Sequence, residues 1–238
     1  MIIDRPLILA LDTATPCCSV ALTEGGQRDG KVVGTLSLCG TVTHSRRLLT
    51  MVDWLLTEAA VSWPAIDGIA VSVGPGSFTG LRIGMATAKG FACAAEKPLL
   101  GISTLEALAA NCSTSKMICA TLDARKKEVY AAFFRRDEQG EICQISKISV
   151  VSPEQLAEHI LEPVYMVGDA VVTYGGFWRE ILGEKLEIAP AQLHVPMAAS
   201  LGLLAGEKLV AGEVLDTGSA SPLYVRASDA ELSLIKKT

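Results

Sequence analysis

Two stretches of this chain repeat one short pattern, and an internal repeat constrains a fold more than any single motif can. Leu11-Asp12 closes the apolar run Leu7–Leu11 and is followed by a turn and a strand carrying Ala21. Leu122-Asp123 closes the run Lys116–Leu122 and is followed by a turn and a strand carrying Ala132 at the same offset. The chain therefore reads as two similar α/β lobes.

Periodicity fills in each lobe. Leu7–Leu11, Ser19–Leu22 and Lys31–Leu38 read as a β-meander, with polar and glycine-rich turns between them. From Ser45 to Ala60, the residues Leu48, Met51, Val52, Leu55, Leu56, Ala59 and Ala60 recur at three- and four-residue steps, which is one face of a helix that Pro64 follows. Gly68–Val73 is an uninterrupted apolar run suited to a central strand. It feeds the loop Gly74-Pro-Gly-Ser-Phe-Thr-Gly80 and then a helix over Thr79–Ala95. Pro98–Ile102 reads as a strand, and Ser103-Thr-Leu-Glu106 has capping-box spacing. The pattern then restarts with strands at Lys116–Leu122, Glu128–Arg135 and Glu141–Val151. Ser152-Pro153-Glu154 opens a helix, Tyr165–Val167 is a strand, and a last helix covers Met197–Gly212. The second lobe is weaker in helices.

Half of the 238 residues are hydrophobic and only 5% are aromatic, so Leu, Ile, Val, Ala and Gly must fill the interior. A net charge of -5 leaves no electrostatic footprint for nucleic acid, so any tRNA would be held by another protein. The seven cysteines give no CxxC pair for zinc or redox work and fit a reducing cytoplasm. Leu7–Leu11 is too short for a signal peptide's apolar region or a membrane span, which points to a cytoplasmic chain with no membrane partner.

The Gly74–Gly80 loop joins a strand to a helix N-terminus, a geometry that can offer backbone N–H groups to an anion. It lacks the lysine of a Walker A loop, its glycines do not spell GxGxxG, and Ser77 is not in a GxSxG elbow. Glycines that only permit a tight turn and close helix packing are the other reading. Asp12, Thr13, Gly74 and Gly76 are the candidate nucleotide residues, with Thr15 beside them and Asp123 and Arg125 at the matching turn of the second lobe. Ordinary turn chemistry is the favoured reading of them, because one Asp in a hairpin is commonplace. His44, His159 and His194 form no i, i+4 pair, so a local histidine metal site is not expected. No nucleophile–base pair is legible, and no catalytic residue is assigned. The second helix carries Gly80, Gly84 and Ala88 on one row and Ala86, Gly90 and Ala94 on another, and either row lets a neighbour approach closely.

Ile8-Leu-Ala-Leu-Asp-Thr-Ala-Thr15, Thr43-His-Ser45 with Leu48-Leu49, and above all Val73-Gly-Pro-Gly-Ser-Phe-Thr-Gly-Leu-Arg-Ile-Gly84 resemble the TsaB (YeaZ) family. The likeness extends through Lys89-Gly90, Thr104–Leu108, Leu122–Arg125, Glu128–Tyr130 and Pro222–Arg226. It implies an α/β actin-like ATPase (sugar kinase/Hsp70) fold of two ribonuclease-H-like lobes, 1–104 and 105–238, with the helix at 197–212 free to pack back on the first. It also implies a non-catalytic, pseudoenzyme role in forming threonylcarbamoyladenosine (t6A) at adenosine 37 of tRNA, as activating subunit of TsaD, the metal-binding transferase, with the ATPase TsaE as third partner. Expected with it are a homodimer when the partner is missing, tRNA contact only through TsaD, and no intrinsic cofactor or metal, though ATP or ADP could sit at the partner interface. The implied contact is a helical bundle, here through Leu48, Met51 and Leu55 of the first helix and Gly80, Gly84 and Ala88 of the second. A protease-like enzyme and a stand-alone ATP-binding or ATP-hydrolysing protein are the rival readings.

Overall fold

The computed structural model describes residues 4–40 and 43–225; Arg226 and the polar tail beyond it lie outside the described residues. The first half runs β1 (Leu7–Asp12), β2 (Cys17–Glu24), β3 (Lys31–Cys39), α1 (His44–Glu58), β4 (Gly68–Gly74), α2 (Phe78–Ala95), β5 (Leu99–Ser103) and α3 (Thr104–Ala110). The second half runs β6 (Met117–Arg125), β7 (Glu128–Arg136), β8 (Ile142–Gln144), β9 (Ser149–Val151), α4 (Pro153–Glu158), β10 (Val164–Val167), α5 (Ala170–Leu182), β11 (Leu186–Ile188) and α6 (Ala198–Val210).

The repeat in the sequence becomes a repeat in topology. The first sheet has the order β3-β2-β1-β4-β5 and the second β8-β7-β6-β10-β11, with β9 also on β7. In both, the opening strands are antiparallel and the last two are parallel to the first. The two Leu-Asp pairs fall at equivalent places, Asp12 as the last residue of β1 and Asp123 near the end of β6.

Both faces of each sheet are covered, which is why the central strands read as unbroken apolar runs. Leu9 and Leu11 of β1 point to α1 and α2, where Leu48, Met51, Val52, Leu55 and Met85 meet them. Ile8 and Ala10 point the other way, to Leu201, Leu204 and Ala205 of α6. The small Ala10, Ala21 and Ala70 let α6 lie close, so a Cβ at Gly202 would come within 3.2 Å of that of Ala10. In the second lobe α4 and α5 cover the outer face, while the inner face is covered by α3 of the first half. Each half thus lends a helix to the other.

Several details differ from the sequence reading. Glu141–Val151 is broken into β8 and β9, both pairing with β7. The capping box forms at Ser152, whose side chain accepts from Gln155 N–H while Gln155 reaches back. It does not form at Ser103: that hydroxyl is buried without a partner, and Glu106 instead faces Lys208 of α6 at 3.7 Å. The second lobe has a full helix, α5, that the glycine pair Gly175-Gly176 disguised.

Candidate functional site

A cavity of about 430 Å³ opens between the two lobes. Its walls are the Ala14–Pro16 turn after β1, the Pro75–Thr79 loop, the Leu122–Lys126 end of the β6–β7 hairpin, Asp169 before α5, and the segment Leu223–Val225. His44, at the start of α1, also reaches it.

Of the four candidate nucleotide residues, only Gly76 lines this cavity; Asp12, Thr13 and Gly74 do not. The Asp12 carboxylate is 1% exposed, and its Oδ1 accepts from Ala14 N–H (2.8 Å) and the Ser72 hydroxyl (2.9 Å) while Oδ2 has no partner. Burial pushes its pKa above the ordinary carboxylate range, against the lowering by those two hydrogen bonds. The Thr13 hydroxyl donates to the carbonyl of Gly80 at 2.7 Å, and Ser77 N–H donates to the carbonyl of Ala14 at 2.7 Å. Ser77 also caps α2, its hydroxyl accepting from Gly80 N–H.

The loop glycines serve this packing. A Cβ at Gly76 would strike the carbonyl oxygen of Ala14, and one at Gly80 that of Thr13. Gly74 sits at φ +114°, which side chains rarely adopt. The Ser77 and Gly80 N–H groups of this loop bond within the chain.

The second lobe supplies the more open chemistry. Asp169 Oδ1 accepts from Asp123 N–H at 2.8 Å, and burial raises the Asp169 pKa more than that hydrogen bond lowers it. Asp123 accepts from Arg125 N–H (2.7 Å) and its side chain pairs with the exposed Arg125 guanidinium. Arg125, Lys126 and Lys127 all have positive φ (63°, 53° and 61°), so three exposed basic residues in succession stand in the left-handed region at the cleft mouth. The segment after α6 closes one side. Leu223 N–H donates to the carbonyl of Val73, and Tyr224 stacks on Phe78 while its hydroxyl accepts from Arg82. Asp169 carried no sequence signal, and Tyr224 was marked only by the Pro222–Arg226 likeness, which does not say where it packs; the fold brings both here.

The six residues assigned to a partner interface need correction. Leu48, Met51 and Leu55 are at most 3% exposed and pack into the chain's own core, as does Ala88. Gly80 and Gly84 are buried against Thr13. The outward side of the same two helices is different. On α1 it carries Leu49 (58% exposed) and Trp54 (51%), and on α2 the other small-residue row, Ala86, Gly90 and Ala94, all exposed. Nothing lies within 4 Å of a Cβ built at Gly90. Trp54 lies off the apolar face that periodicity drew for α1, and a tryptophan in that position was the available signal.

Among the described residues no group of three or more His, Cys, Asp or Glu could hold a metal ion, and no helix is long and apolar enough to cross a membrane.

Comparison with known proteins gives this geometry its context. The TsaD family, tRNA N6-adenosine threonylcarbamoyltransferase, matches residues 41–234. A tRNA threonylcarbamoyladenosine biosynthesis protein TsaB from Escherichia coli is 35% identical, with 92% of this chain and 94% of that protein covered. The solved structure of YeaZ from Pseudomonas aeruginosa is 32% identical, with a TM-score of 0.74 over 92% of this chain and 99% of the other. Component A of (R)-2-hydroxyglutaryl-CoA dehydratase from Acidaminococcus fermentans shares the fold alone, with a TM-score of 0.51 at 10% identity over 87% of this chain and 99% of that one. With an α/β actin-like ATPase fold of two ribonuclease-H-like lobes and TsaB relatives matched over nearly its whole length, the chain belongs to the TsaB (YeaZ) family of tRNA threonylcarbamoyladenosine biosynthesis proteins.

Proposed function

We propose that this chain is the non-catalytic partner subunit of a tRNA threonylcarbamoyltransferase, binding a TsaD-type transferase and enabling it to form t6A at adenosine 37. The observation that carries the reading is the outward face of α1 and α2. Both helices rest on the same face of the first sheet, and on the side away from it they carry exposed residues, Leu49 and Trp54 on α1 and Ala86, Gly90 and Ala94 on α2. A half-exposed tryptophan on one helix and a row of small residues on the next suit a helical partner: the ring supplies an anchor and the small residues permit close backbone approach.

The cleft supports a non-catalytic role. Asp12, Thr13 and the Gly74–Gly80 loop spend their polar groups inside the chain, and Ser77 serves as a helix cap rather than a nucleophile. In the same reading an adenine nucleotide, where one takes part, is held at the partner interface, and TsaE acts on the assembled pair. Without TsaD the same surface pairs two copies of this chain, and tRNA is held by TsaD.

The test is t6A formation in a mixture of tRNA, threonylcarbamoyl-adenylate, TsaD and TsaE, with and without this chain, and with this chain alone. Modification only when the chain accompanies TsaD is expected. Activity from the chain alone, or no effect of leaving it out, would sink the proposal. Trp54→Asp is expected to weaken TsaD binding by calorimetry at least about tenfold, in line with loss of an aromatic anchor, while melting as the parent does.

A further inference from the structure

Cys17 opens β2 and Cys39 closes β3, and the two are directly opposite in the ladder, with Cα atoms 4.1 Å apart and sulfurs bonded. Their position is informative. β3 is the edge strand of the first sheet, and α1 leans on it, with a Leu55 methyl 2.8 Å from where a Cβ of Gly34 would be. Cys17 follows the Ala14–Pro16 turn that walls the cleft. Cys39 is exposed, so a small thiol can reach it, whereas Cys17 is 4% exposed.

The remaining cysteines are set apart. Cys18 is next in sequence, but strand alternation turns it to the other face, into the core under α1, where burial pushes its thiol up to about 11. Cys112 and Cys119 are buried too, each pushed up to about 12. Cys93 and Cys143 are exposed but stand on α2 and β8, with no cysteine partner. The bridge is not needed to bring the strands together, because β2 and β3 pair along the whole of both, with a serine pair, Ser19 and Ser37, two residues further in at 2.7 Å.

We propose that Cys17 and Cys39 are a reversible dithiol–disulfide pair that fastens the edge strand β3, and with it the footing of α1, when oxidised. In the oxidising direction the Cys39 thiolate attacks a small-molecule disulfide such as oxidised glutathione, releasing one glutathione thiolate. The Cys17 thiolate then attacks Cys39 Sγ and releases the second. Two protein thiols become one disulfide, the two electrons reduce oxidised glutathione to two glutathiones, and the two protons go to the released thiolates. A dithiol reductant reverses both steps, with exposed Cys39 Sγ as the sulfur attacked.

The test equilibrates the whole chain in glutathione buffers from fully reduced to fully oxidised, then denatures and alkylates it for intact-mass and peptide analysis. All seven cysteines are expected to be alkylated on the reduced side and five on the oxidised side, the missing pair being Cys17 and Cys39, with complete return on adding a dithiol. Hydrogen exchange of β3 amides should slow on oxidation by about tenfold, because the link removes open states of the hairpin. In Cys39→Ser neither change should occur. Seven alkylated cysteines in every buffer, a different pair, exchange in β3 indifferent to redox state, or the same slowing in Cys39→Ser would each overturn the proposal. None of these readouts depends on a partner protein.

Discussion

Asp12 ends the central strand β1 with 1% of its surface exposed and only Oδ1 engaged. A charge held there costs stability, and the sign follows from its raised pKa. Above the ordinary value of 3.8 the unfolded chain has lost a proton that the folded chain still keeps, so stability falls as pH rises through the folded pKa and stays lower at neutral pH. Asp12→Asn keeps the acceptor for Ala14 and Ser72 and removes the charge. It is expected to raise urea stability at pH 7 by about 1 kcal/mol, with the gain shrinking toward pH 4; no gain at pH 7 would mean that Oδ2 has a compensating partner. His194 works with the opposite sign. Its Nδ1 accepts from Gly168 N–H in a buried site, and burial holds its pKa below 6.5. The unfolded chain binds the proton first, so the stability His194 contributes is full above pH 6.5 and drains away as pH falls from there through the folded pKa. His194→Asn keeps an acceptor for Gly168 and should flatten that slope in melts between pH 7 and 5.

At the scale of elements, periodicity found the helices but could not say which side of α2 is inside. Its two rows, Gly80-Gly84-Ala88 and Ala86-Gly90-Ala94, are alike in sequence; what separates them is the Thr13 turn, distant in the chain, which presses on the first. The apolar stripe of α1 was legible, because a face of Leu and Met can only point at the core. The substitutions follow. Gly84→Leu would drive a side chain into Thr13 and is expected to cost about 3 kcal/mol or more. Gly90→Ala meets nothing and should instead stabilise by about 0.5–1 kcal/mol through helix propensity, as thermal melts would report. The missed helix α5 has the same cause. A Cβ at Gly175 would come within 3.2–3.3 Å of Val171 and Ile188, and Gly176 faces open space, so a pair that reads as a break is one packing glycine and one exposed one. Of the cleft, the Pro75–Thr79 loop and the two matching turns with Thr15, Asp123 and Arg125 were readable; Asp169 and Tyr224 reach it through α5 and the segment after α6, elements whose placement no local pattern encodes.

For the whole molecule, the duplicated sheets suggest two domains that could part between residues 104 and 105, and the return of α6 onto the first sheet argues that they cannot. The inner face of the first sheet, with Ile8, Leu100 and Ile102, is closed by Leu201 and Leu204 of α6; the inner face of the second, with Ile118, Leu122 and Phe134, is closed by Leu105 and Leu108 of α3. Cutting between 104 and 105 takes α6 from the first sheet, while α3 stays with the second. Each large side chain returned to water costs roughly 1.5–3 kcal/mol, so the five at the α6 layer alone forfeit about as much as the entire stability of an ordinary domain, roughly 5–15 kcal/mol. The fragment 1–104 is therefore expected to lack a cooperative melt and to show poorly dispersed amide resonances by itself. Adding the fragment 105–238, which restores α6, should recover a folded pair. The intact chain, sharing helices across its lobes, should unfold in one transition seen alike by circular dichroism and by the fluorescence of Trp178, which is buried in the second lobe. Two separate transitions, or a folded 1–104, would mean that α6 covers the first sheet without holding it.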